Sequence, residues 1–83
     1  METIIDQTKK INTVLKKMKV DYNNINEPFY KNRFLDDFVY NLSGDYNKSK
    51  RKAILEVLLN RKVKSTEIGI SKLKTRLLSY FNS

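Results

Sequence analysis

This chain contains no cysteine, no histidine and no tryptophan, and it has one proline and two glycines. The missing thiols and imidazoles exclude disulfides, thiolate nucleophiles and imidazole bases, together with nearly every zinc or iron site. No metal, cofactor or small-molecule substrate is therefore expected, and neither is enzymatic activity. Two isolated glycines exclude a glycine-rich phosphate loop. The densest apolar stretch, AILEVLL, is interrupted by Glu56 and is too short to cross a membrane. METIIDQTKK also lacks the apolar centre of a signal peptide, so the expected location is cytoplasmic.

The chain does carry enough apolar content to fold. Of its 83 residues 40% are hydrophobic and nine are aromatic, which suits one small ordered domain. Lys, Asn, Ile, Tyr and Phe account for 38 residues. Their codons are AT-rich, which points to a low-GC bacterium, its phage or another mobile element.

The net charge of +8 is unevenly distributed. Residues 1–45 hold seven basic and seven acidic side chains, whereas residues 46–83 hold ten basic and two acidic. A one-sided excess of this kind is the footprint of a polyanion-binding surface.

Helical spacing recurs four times. Ile4, Ile11, Val14, Leu15 and Met18 predict a helix over about 3–19, opened by a Thr3–Asp6 capping pair. Lys9, Lys10, Lys16 and Lys17 fall on its solvated side. DYNNINEPF reads as a loop. A second helix, over about 27–43, is expected to use Asn26 as N-cap, Pro28 in its first turn and an Ile25–Tyr30 staple. Its core face is Tyr30, Phe34, Leu35, Phe38, Val39 and Leu42, and Ser43-Gly44 ends it. Phe29 and Tyr40 point away, either to pack under another helix or to meet a partner. Asp36 and Asp37 lie about 100° apart and cannot converge on one ion.

A third helix, over about 46–60, is capped by Asp45 or Asn47. It opens with KSKRK, where the helix dipole disfavours cations by up to about 1 kcal/mol each. Ile54, Val57 and Leu58 supply its core stripe, while Leu55 and Leu59 form a second stripe that requires another neighbour. RKVKSTEIG has no period, although Ser65 and Thr66 can begin a helical turn. A fourth helix covers about 70–82. On a wheel Leu73, Leu77, Tyr80 and Phe81 lie within about 80° of Ile70, opposite Ser71, Lys72, Thr75, Arg76 and Ser79. The expected fold is an all-α bundle of four helices in one domain.

The segment AILEVLLNRKVKSTEIGISKLKTRLLSYF, residues 53–81, resembles the helix-turn-helix part of many small DNA-binding domains. Three residues separate Ser65 from Gly69, one helical turn fewer than that family places there. The resemblance implies that Ser71, Lys72, Thr75, Arg76 and Ser79 face a DNA groove. Lys48, Lys50, Arg51, Lys52, Arg61, Lys62 and Lys64 would hold the flanking phosphates. Six neutralised phosphates would give a slope of about −5 for log affinity against log salt. Tyr46 and Tyr80 are candidate stacking platforms for unpaired bases. The function expected from this pattern is nucleic-acid binding, DNA above RNA, as a regulator or as an accessory factor in replication or recombination.

A competing class is the protein-binding module, such as a phage or plasmid inhibitor. Leu73-x-x-Arg76-Leu77-Leu78-Ser79-Tyr80 is similar to a helix of some bacteriocin immunity proteins. In that reading Leu55, Leu59, Phe29 and Tyr40 are contact residues, and the basic half meets an acidic protein surface or anionic lipid. A homodimer is compatible with both classes.

Overall fold

Four α-helices build the chain in a computed structural model that describes residues 4–83: α1 (Ile4–Asn24), α2 (Pro28–Tyr40), α3 (Lys48–Leu59) and α4 (Ile70–Phe81). The all-α expectation holds, and the described residues contain no strand. Single 3-10 turns precede α3 (Asp45–Asn47) and α4 (Ser65–Glu67). The second of these is the turn expected at Ser65-Thr66. The Thr3–Asp6 capping pair and the Ile4 side chain lie outside what can be described. No helix among the described residues is long and apolar enough to cross a membrane.

α1 continues five residues past the predicted end, through part of the expected loop. Tyr22 follows Leu15 and Met18 on one face and is buried against Phe81, with ring centroids 5.0 Å apart. Asn23 donates one amide hydrogen bond to Lys19 O and another to Phe81 O, tying α1 to the end of α4. Tertiary burial and these bonds override the turn preference of DYNN.

The start of α2 is shifted by one residue from the prediction. Glu27, not Asn26, is the N-cap, and it makes no side-chain cap bond. Pro28 takes the first helical position, where its missing N–H costs nothing. The staple positions move with the cap, so Ile25 and Tyr30 no longer match them. Tyr30 instead lies exposed, its ring edge-on to Phe29. Leu35, Val39 and Leu42 enter the core as expected, and Phe34 and Phe38 pack at its margin. α2 stops at Tyr40 with Asn41 as its C-cap, three residues short of the predicted end, so Ser43-Gly44 does not end it; Gly44, at φ +86° and ψ 162°, instead opens the Asp45–Asn47 turn in a conformation open mainly to glycine.

Asn47 occupies the N-cap of α3 without capping it, because its amide donates back to Ser43 O and Asn41 O. At the other end Asn60 adopts the left-handed conformation that stops the helix. α4 packs against all three other helices, with Leu73, Leu77 and Phe81 fully enclosed. Val63 and Ile68 are also buried, so the segment without a period is fastened to the core by these two residues.

Candidate nucleic-acid interface

Among the candidate phosphate ligands, Arg51 is in the wrong place. It is 6% exposed. Its Nε donates to Ile68 O at 2.7 Å, and its Nη1 donates to Leu42 O at 2.7 Å and Gly44 O at 2.6 Å. These carbonyls belong to the connection between α2 and α3 and to the segment before α4. A guanidinium offers fixed, divergent donors, and here they join two connections that have no regular structure of their own. Arg51 is an internal tie, and the expectation that it binds phosphate is corrected.

Leu55 is a second correction. It is 1% exposed, because the stripe it shares with Leu59 faces α4 inside the chain. Leu59 is partly buried against the core. The two leucines form the floor of a groove and not an outer contact surface. Phe29 and Tyr40 are 65% and 77% exposed, so packing under another helix is excluded for both. About 20° separates them on the α2 wheel, but Arg33 and Asp36 lie between them on that side. They do not form one apolar patch.

Arg61 is engaged as well. Its guanidinium meets the Glu67 carboxylate at 2.8 Å and 3.3 Å and also donates to Lys62 O. Arg61, followed by the backbone N–H of Lys64, holds the Glu67 carboxyl down at about 2. The same pairing raises the pKa of Arg61. Lys74 pairs with Asp36 across α4 and α2, and Lys48 lies 3.5 Å from Asp45 with both side chains well exposed.

The α4 candidates come together. Ser71, Lys72, Thr75 and Arg76 are all exposed and line one groove of about 290 Å³, with Leu55 and Leu59 as its floor and Glu67 at its edge. Ser79 is exposed one turn further along. Thr75 Oγ1 donates to Ser71 O, which leaves its lone pairs as acceptors, and Lys72 Nζ donates to Thr66 O. No acidic residue occurs after Glu67. Lys48 and Lys52 share the side of α3 that carries Leu55 and Leu59, within about 60° on the wheel. Lys64 is exposed in the connection.

Lys50 and Lys62 are not part of this cluster. They line depressions on the opposite side of α3, against α1. Residues 48–52 and 61–64 are single basic runs in the sequence, whereas a helix and a turning connection distribute neighbours over different faces. Of the two candidate stacking rings, Tyr46 is 96% exposed, and Tyr80 is partly buried against Phe81 with Lys19 Nζ above it. No protein-family model matches the chain, and neither the curated proteins nor the solved structures provide a match.

Proposed function

We propose that this protein is a non-enzymatic nucleic-acid-binding factor, a regulator or accessory protein of a phage or mobile element, that meets duplex DNA with the outer arc of α4. The observation that carries this reading is the division of α4. Its inner arc of Leu73, Leu77 and Phe81 is fully buried, and its outer arc of Ser71, Lys72, Thr75, Arg76 and Ser79 is exposed and contains no acidic residue. Hydroxyls and cations at one-turn spacing can reach base edges and phosphates together. Lys48, Lys52 and Lys64 extend the positive surface beside the groove.

α3, the Ser65–Glu67 turn and α4 stand in helix-turn-helix order, with a single 3-10 turn in place of the family's middle helix. The reading therefore rests on the α4 surface and not on that motif. With Arg51, Arg61, Lys50 and Lys62 removed from the phosphate set, Lys48, Lys52, Lys64, Lys72 and Arg76 predict a slope of about −4.5 for log affinity against log salt. Fluorescence titration of labelled duplex and single-stranded DNA at two salt concentrations measures this slope. Lys72→Glu with Arg76→Glu is expected to lower duplex affinity at least tenfold. Failure of the parent chain to bind either DNA at low salt would overturn the proposal.

A further inference from the structure

Apolar side chains also line a surface away from the α4 arc, along α1. Two depressions lie along α1, one of about 440 Å³ against α3 and the end of α2 and one of about 500 Å³ against α2, and they meet at Val14 and Phe38. Ile11, Phe34 and Ala53 are among the other apolar lining residues, and Val14 on the lip is 51% exposed. On α1 the lining runs from Gln7 to Asp21, a length of about 21 Å, or about four helical turns. An apolar furrow of this length and shape accommodates one amphipathic helix with anchors at i, i+3, i+4 and i+7.

The charges along the furrow are ordered. Lys50 and Lys10 border the depression at one end without an acidic neighbour in its lining, and the depression at the other end is lined by Lys17 on its near side and by Asp21 and Asp37, where Asp37 also pairs with Arg33. Lys50, unexplained by the α4 surface, belongs to this rim. We infer that the furrow is the docking site for an acidic amphipathic helix of a protein partner. The acidic residues of that helix lie beside Lys50 and Lys17, and its neutral or basic end lies beside Asp21 and Asp37. A second copy of the chain fits poorly, because it would set one concave face against another between two molecules of net charge +8. Nucleic acid has no apolar ridge to fill the furrow. This inference does not depend on DNA binding, which uses the opposite side.

The test is a display selection on the full chain. The probe is a library of four-turn helical peptides with leucine fixed at i, i+3, i+4 and i+7 and all other positions random. Winners are expected to be rich in Asp and Glu toward one end and to shift the amide resonances of Ile11, Val14 and Phe38. Val14→Glu with Phe38→Glu should weaken them at least tenfold while circular dichroism is unchanged. Lys17→Glu with Lys50→Glu, both at exposed positions, should switch the selection toward basic peptides.

The inference is overturned if no peptide is enriched, if winners show no acidic bias, or if neither variant affects them. It is also overturned if the parent sediments as a dimer that Val14→Glu with Phe38→Glu dissolves. Loss of DNA binding in separate titrations would leave the peptide result standing, so the two proposals fail independently.

Discussion

Three N–H donors of Arg51 end on three backbone carbonyls, all of them in or beside irregular chain. Arg51→Met keeps much of the stem's packing and leaves those acceptors without partners. The expected cost is about 2–5 kcal/mol, a fall in melting temperature of about 10 °C or more for a domain of this size. Exposed Lys52→Ala, next in sequence, should stay within about 0.5 kcal/mol. Thermal unfolding followed by circular dichroism compares the two, and equal midpoints would refute the assignment. Glu67 makes a pH-dependent contribution. Its folded pKa, about 2, lies below the ordinary 4.5, so the stabilisation is complete above 4.5 and is lost as pH falls toward 2. The stability difference between the parent and Glu67→Gln should therefore shrink steadily over that interval. A difference that stays constant from pH 5 to pH 2 would rule out the linkage.

At the scale of elements, the two glycines open the turn before α3 and the helix α4 under different constraints. Gly44 is held at φ +86°, so Gly44→Ala is expected to cost about 1 kcal/mol even though a Cβ there meets nothing within 4 Å. Gly69, the N-cap of α4, has φ −65° and ψ 155°, which any residue adopts, and its Cβ position is also open. Gly69→Ser should gain a few tenths of a kcal/mol by supplying the capping oxygen that α4 lacks. Urea denaturation of the two variants should move the midpoint in opposite directions. Gly69 is thus not required by its backbone conformation. The α4 wheel was read correctly from spacing alone, because a strong 3.6-residue period needs only the information in its own segment. The end of α1 was not, since Tyr22 is held by Phe81, 59 positions later in the chain.

For the whole molecule, the charge excess of the second half does not become one basic face. Arg51 is internal, Arg61 and Lys74 are paired with carboxylates, and Lys50 and Lys62 turn toward α1. What remains for a polyanion lies around the α3–α4 groove, and the apolar furrow lies along α1, between it and the opposite side of α3 and α2. If both proposals hold, their variants should separate cleanly. Lys72→Glu with Arg76→Glu should abolish DNA binding and leave peptide affinity within about twofold, because mutations at sites without shared partners act nearly independently. Val14→Glu with Phe38→Glu should do the reverse. Joint loss in either variant would mean that the surfaces are not separate.

The amino-acid sequence by itself determined that the protein is a small all-α domain, that α4 divides into a core arc and an exposed arc, and that positive charge lies in the second half. These properties follow from periodicity and composition, which are local or additive. Only the tertiary structure decided that Arg51 is a buried tie, that Leu55 faces inward, that Val63 and Ile68 are core, and that Lys48 and Lys50 serve different faces. Each of these depends on which distant carbonyl, ring or helix the chain brings alongside. A linear pattern carries no direct record of that, since burial is a property of neighbours and not of the residue.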